Sequence, residues 1–182
     1  EKELALVGSR DQKGKIRFFP IVETFQSNNV CDWVLSPAQT EYDLNLFAIN
    51  IFSSIVNELN YVGVLGIEFF YGVNGLLINE IAPRTHNSAH FSIEACSSSQ
   101  FDQYVCISSG IMPPEIKMNC DGAIMINLLG LKKNFPISIE TRFKMLSEIE
   151  GSNIHCYGKS REIPGRKMAH ITFLLNGKTH SE

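Results

Sequence analysis

The sequence lacks the features that place a chain in a membrane, in a disulfide scaffold or along nucleic acid. No apolar run approaches the roughly 18–20 residues of a membrane-spanning helix, and the opening residues do not read as a secretory signal. Its five cysteines (Cys31, Cys96, Cys106, Cys120 and Cys156) are odd in number and scattered, with no CxxC pair. That pattern argues against a disulfide framework or a cysteine zinc site and suits reduced thiols in a cytosol. Basic residues are not in excess: sixteen stand against nineteen acidic, for a net charge of −3. A broad nucleic-acid footprint is therefore not expected, although a local cation cluster can still hold a small phosphate. Internal repeats and low-complexity tracts are also missing. What the chain does have is 44% hydrophobic residues in a length of 182, enough for a sizeable core and too much for disorder.

The opening EKELALVGSR carries no methionine and begins in strand-like alternation, so the sequence reads as entering in mid-domain and is expected to be a fragment. Residues 4–7 and 16–22 flank the turn-forming SRDQKGK and predict a hairpin. A further short strand is expected over 30–35. Leu44, Phe47, Ile51, Ile55 and Leu59 recur at three- to four-residue spacing, which predicts an amphipathic helix over 42–60 with Thr40 as its cap and Phe47 and Phe52 in the core. VGVLGIEFFY and LLINEIA, joined by GVNG, predict a second hairpin with Gly and Asn at positive φ. One helix is expected over 88–109, ended by Gly110 and Pro113-Pro114. A strand over 123–130, a helix over 141–150 and strands over 153–157 and 167–175 complete an α+β chain with a boundary near Pro113.

Two acids stand out. With a three-residue loop centred on Asn74, Glu68 and Glu80 would pair directly across the hairpin, sharing one sheet face with Cβ atoms roughly 4.5–5.5 Å apart. With a two-residue loop they would fall on opposite faces. Each acid sits in apolar sequence, where a lone charge is costly, and two together repel. A divalent cation between them answers both problems, and oxygen ligands with Asn79 alongside suit magnesium better than zinc. The bland alternative is that each acid pairs with an arginine or faces solvent.

The loop Pro83–Ser88 leads from the second strand into a helix start, where backbone amides and the Arg84 fork suit an anion. His86 could orient a substrate or exchange a proton, while Asn87 and Ser88 could cap the helix, bind a ligand or do both. A second basic cluster, Lys159, Arg161, Arg166, Lys167 and His170, surrounds Pro164-Gly165 and could hold a phosphate or simply be solvated.

The stretches GVLGIEFF, INEIAPRTHNSAHFSIEAC, IMINLLG and YGKSREIPGRKMAHIT, with KELALVGSRD and PIVETFQSNNVCDWVLSPA before them, resemble the 5-(carboxyamino)imidazole ribonucleotide synthetase family of the ATP-grasp superfamily. The resemblance runs along nearly the whole chain. It implies the second half of an ATP-grasp module, mostly antiparallel sheet with packed helices, over 1–112, and a small β-rich C-terminal domain over 113–182. It also implies an ATP-dependent carbon–nitrogen ligase of purine biosynthesis, cytoplasmic and homodimeric. In that family ATP phosphorylates bicarbonate to carboxyphosphate, and the amine of 5-aminoimidazole ribonucleotide is then carboxylated.

Carried over residue by residue, Glu68 and Glu80 would hold magnesium, and Gln26, Asn79 and Glu80 would contact ATP. Arg84, His86, Lys159 and Arg166 would be catalytic, and His86, Asn87, Ser88, Lys159, Arg166 and Lys167 would bind substrate. Gln26 stands where the family usually has His, Thr85 where it has Pro, and Ala89 and Ala169 where it has Gly. The family's N-terminal domain and glycine-rich flap would precede Glu1, so no turnover is expected from these residues alone. Another ATP-grasp ligase using formate or biotin, or a degenerate ATP-grasp half serving as a binding or dimerisation module, stays open at this stage.

Overall fold

A computed structural model describes residues 2–27, 30–132 and 135–177. Among these residues the strands β1 (Lys2–Arg10), β2 (Ile16–Phe18), β3 (Val22–Ser27), β4 (Val30–Ser36), β5 (Gly63–Gly72), β6 (Gly75–Ala82), β7 (Gly122–Leu129), β8 (Asn153–Cys156) and β9 (Lys167–Leu175) form one sheet. Its order is β6-β5-β1-β3-β4-β7-β9-β8, with β2 pairing to β1, and every pairing is antiparallel. The helices are α1 (Tyr42–Glu58), α2 (Ser92–Ala95), α3 (Gln100–Ser108) and α4 (Ile139–Ser147), with a 3-10 turn at Asn87–Ala89. The class is α+β, as expected. The sheet does not stop at Pro113: β7 joins the edge of β4, Trp33 opposite Ile126 and Ser36 opposite Ala123.

Both faces of the central strands are covered, which is why β1 reads Leu-Ala-Leu-Val without polar alternation. Leu4 and Leu6 face α1 together with Leu65, Ile67 and Phe69, while Ala5 and Val7 pack with Val64, Phe91 and Ala95 on the other side. From α1 the residues that reach the core are Ala48, Phe52 and Val56, at four-residue steps. The stripe expected from the sequence ran through Phe47 and Leu59, yet these are 53% and 66% exposed. The true buried row contains a small Ala, which lets the helix lie close to the sheet, and hydrophobicity alone does not single it out.

Three further expectations are corrected. Residues 16–22 are not one strand: the chain breaks at Phe19-Pro20-Ile21, and β2 and β3 pair in turn with the two ends of β1. Proline has no N–H for the ladder, so the break falls where pairing would fail. Thr40 does not cap α1; its hydroxyl donates to the Asn45 Oδ1 at 2.8 Å, and the cap position is Glu41. The helix expected over 88–109 is divided. Cys96 turns extended and bridges to Met118, and Ser99 opens α3 with a capping box to Asp102. Serine side chains compete for backbone groups and favour such starts over helix interiors.

Candidate functional site

The hairpin β5–β6 sets the two acids. Gly72 pairs with Gly75, so only Val73 and Asn74 form the loop, and Gly75 alone takes the positive φ, at 78°. A regular ladder from that turn would place Asn79 opposite Glu68 and turn Glu80 to the far face. It does not, because the register shifts by one between Glu68 and Phe69: Ile78 pairs with Phe69 and Glu80 with Glu68. Asn79 is the extra residue of a β-bulge, a feature that re-aims side chains beside functional sites. The expected pairing holds, but a two-residue loop plus a bulge produces it, not a three-residue loop.

Glu3 joins them, since Ala5 pairs with Glu68 and Glu3 with Phe70 on the same face. Burial, then Glu80, then Glu3 push the Glu68 carboxyl above its usual range. One oxygen of Glu3, Oε2, is buried with no hydrogen-bond partner.

The loop after β6 is fixed from beneath. Gln100 at the start of α3 clamps it: its Oε1 accepts from the His86 amide at 2.7 Å and its Nε2 donates to the His86 carbonyl at 2.8 Å. The His86 ring packs over Gly66, where any Cβ would stand 2.8 Å from the His86 Cβ. Its Nδ1 accepts from the Ser88 amide at 3.4 Å, which leaves Nε2 to carry the proton toward Glu68 Oε1, 3.5 Å away. Burial, with Arg84 next, lowers the His86 pKa to about 4, so the ring is neutral and brings no positive charge to Glu68. Ser88 lies buried beneath this ring. Arg84 extends to the rim, 4.0 Å from Glu80.

The opposite wall comes from β9 and the turn before it. Lys167 Nζ donates to Asn87 Oδ1 at 2.9 Å, and Lys159 donates to the Lys167 carbonyl while lying 5.2 Å above the Tyr157 ring. Tyr157 hydroxyl meets His170 Nδ1 at 2.8 Å. Burial, and then the neighbouring cations, lower the Lys167 pKa. Arg166 is exposed on the turn outside the cleft lining, near enough to Lys159 to lower its pKa after burial has done so. Gly130, at the end of β7, docks the same turn, because a Cβ there would come within 2.2 Å of the Ile163 carbonyl oxygen.

These walls enclose an open cleft of about 640 Å³ in which Gln26, Glu68, Glu80, Arg84, His86, Asn87, Lys159 and Lys167 converge. Cys31, Thr85, His90 and Tyr157 also line it. Gln26 reaches as well into an adjoining hollow of about 560 Å³, lined by Glu3, the stacked Phe25–Trp33 pair, Phe70 and Leu77. Asn79, Ser88 and Arg166 stand outside the cleft lining. Ala89 and Ala169 are buried, and Ala89 packs in the core, so neither methyl obstructs the site.

Sequence reasoning passed over Asn127, which pairs with the Asn87 amide; its one visible signal is a lone polar residue inside AIMINLLG.

The donor set suits a hard divalent cation. Two carboxylates face each other, the Glu68 pKa is raised, and the one cation paired with them among the described residues is Arg84, 4.0 Å from Glu80 at the rim; their oxygens match magnesium. Among the described residues no group of three or more His, Cys, Asp or Glu could cage a metal. A cation here would have to share ligands with a phosphate.

Residues 1–101 match the ATP-grasp domain model, and residues 123–181 match the phosphoribosylaminoimidazole carboxylase C-terminal domain model. A curated N5-carboxyaminoimidazole ribonucleotide synthase of Synechococcus elongatus is 41% identical over the whole of this chain, which covers 46% of that protein. The solved structure of N5-carboxyaminoimidazole synthase from Aspergillus clavatus, in complex with ADP and 5-aminoimidazole ribonucleotide, has a TM-score of 0.86 at 31% identity, over 96% of this chain and 47% of that one. The Thermotoga maritima synthetase structure gives 0.82 at 39% identity, over 96% and 47%. The chain thus spans about half the length of these relatives.

Proposed function

The chain belongs to the ATP-grasp family, and on that premise we propose that the whole protein carboxylates 5-aminoimidazole ribonucleotide with ATP and bicarbonate, through carboxyphosphate, in purine biosynthesis. The observation that carries this reading is one cleft with acids on one wall and cations on the other. Residues 1–112 are the ATP-grasp part in this reading and 113–182 the C-terminal domain.

Glu68 and Glu80 are the residues that would hold magnesium, with the Asn79 amide beside them at the bulge. When bound, magnesium would draw charge from the ATP phosphates and align them. Gln26 stands between the two hollows and is placed to contact the nucleotide running from one to the other. Neutral His86, its proton on Nε2, can donate to an oxygen of the acceptor while Ser88 holds the ring from below. Arg84 at the rim and Lys159 and Lys167 opposite supply positive charge to the bicarbonate-derived anion and the ribonucleotide phosphate, and Asn87 orients Lys167. Arg166 adds a cation from the turn. A homodimer in the cytoplasm accords with this reading; among the described residues no helix is long and apolar enough to cross a membrane.

Glu80→Gln in the whole protein tests it. ADP release that depends on both bicarbonate and 5-aminoimidazole ribonucleotide should fall by about 100-fold, the loss of roughly 3 kcal/mol of transition-state stabilisation. Because Glu80 is half exposed, the melting temperature should hardly move. Undiminished turnover removes Glu80 from the metal site, and ADP release that ignores the ribonucleotide removes the reading itself.

A further inference from the structure

A buried relay of amides connects the backbone of β4 to the cation wall of the cleft. Asn127 is 3% exposed and projects from β7, where its Nδ2 donates to the Cys31 carbonyl at 2.9 Å. The same amide exchanges reciprocal hydrogen bonds with Asn87, Nδ2 to Oδ1 at 2.8 Å and Oδ1 from Nδ2 at 2.9 Å. Asn87 Oδ1 is left facing the Lys167 ammonium.

The polarity runs one way. A backbone carbonyl can only accept, so it forces the Asn127 NH2 toward itself and fixes which end of that amide faces Asn87. Asn87 must then turn its oxygen to the shared corner, where Lys167 finds it. Turned the other way, Asn87 would present an NH2 to an ammonium.

We propose that Asn127 is a positioning residue for this site: it touches no substrate, but it fixes the Asn87 amide and through it the aim of Lys167 toward an anionic ligand. The proposal rests on the reading above for the identity of that anion, a phosphate or carboxylate, while the relay itself stands on the hydrogen bonds. Each bond in it is buried or partly buried, so an amide turned wrongly leaves polar groups unpaired at a cost water cannot relieve.

Two substitutions separate this role from plain stability. Asn127→Asp keeps the shape but loses both donors; Asn127→Ser, one bond shorter, gives up the Cys31 and Asn87 contacts and frees the Asn87 amide to rotate. Met125→Ala, on the same strand and fully buried, serves as a control that weakens the fold without touching the relay. In the whole protein, both Asn127 variants should raise KM for the ribonucleotide about tenfold, the scale of one buried hydrogen bond lost, with a smaller change in kcat. Met125→Ala should leave KM in place. In a Lys167→Met background the Asn127 substitutions should cost little more, because the group they aim is gone.

A second readout is independent of the reaction. The Lys167 ammonium protons, held by Asn87, should give a protected NMR signal in the wild-type protein that is lost to solvent exchange in both variants. If both variants keep the signal and the wild-type KM, the proposal is overturned. If the wild-type protein shows no ribonucleotide-dependent turnover but the ammonium signal is lost in the variants, the relay stands and only the reading of its anion falls.

Discussion

At the scale of single residues, the site depends on how close the backbone of β5 lets the His86 loop come. Gly66 is there for space: a Cβ on it would come within 2.8 Å of the His86 Cβ. We expect Gly66→Ala to lower stability by about 1–3 kcal/mol, the usual effect of overpacking a filled site, and to displace the His86 ring from Glu68. A urea titration reads the first effect and the His86 ring NMR shifts the second; unchanged shifts with a lowered midpoint would place the strain elsewhere.

Residues of this kind differ in how far the sequence reveals them. Glu68, Glu80, Arg84 and His86 are legible because one hairpin and the loop after it bring them together over a short stretch of chain. Asn127 and Cys31 are 96 positions apart, and they meet through the pairing of β4 with β7, which no local pattern announces. Ser88 reads from the sequence as a cap, a ligand contact or both, and the 3-10 turn at Asn87–Ala89 folds it under the His86 ring, which nothing in the local pattern announces.

At the scale of elements, periodicity located α1 within two residues and placed Leu44, Ile51, Ile55 and Phe52 at the core, but it wrongly counted Phe47 and Leu59 with them. Leu44, Ile51 and Ile55 flank the contact, and Phe52 at its centre is fully buried. Phe52→Ala should therefore cost about 3–5 kcal/mol, whereas Phe47→Ser on the exposed side should stay within about 0.5 kcal/mol. Equal urea midpoints for the two variants would contradict the packing. The hairpin shows the opposite case, where the right pairing was expected for the wrong reason. Loop length and bulge each shift the register by one, and only their sum is visible in which side chains meet. A bulge carries little sequence signature, since Asn79 differs from an ordinary strand residue only in being polar.

At the scale of the molecule, the buried histidines make the fold acid-sensitive. Burial first, then neighbouring cations and histidines, lowers His90 to about 3, and burial with His155 lowers His170 to about 4. An unfolded histidine takes up its proton near pH 6.5, while these two stay neutral in the folded state until much lower pH. The unfolded chain thus binds more protons below about pH 6.5, and stability falls as pH falls through that point toward about 4. The slope should approach about 1.4 kcal/mol per pH unit for each histidine. Glu68, raised rather than lowered, works in the other direction and offsets part of the loss. A urea midpoint lower at pH 5 than at pH 7.5 is expected, and a flat or rising profile would contradict it.

The continuity of the sheet from β4 into β7 has a consequence for cutting the chain. Severed near Pro113, the two pieces would each present a bare edge, β4 on one and β7 on the other, whose donors and acceptors match the edge they were cut from. Co-expressed as 1–112 and 113–182, they should find each other and co-purify as a reconstituted pair, while each made alone should aggregate. Pieces that stay soluble and separate would show that the seam is not needed by either side. If they do reassemble, the Lys167 wall can be exchanged as a cassette against a constant Glu68–Glu80 wall, and the contribution of each to ligand choice measured by mixing.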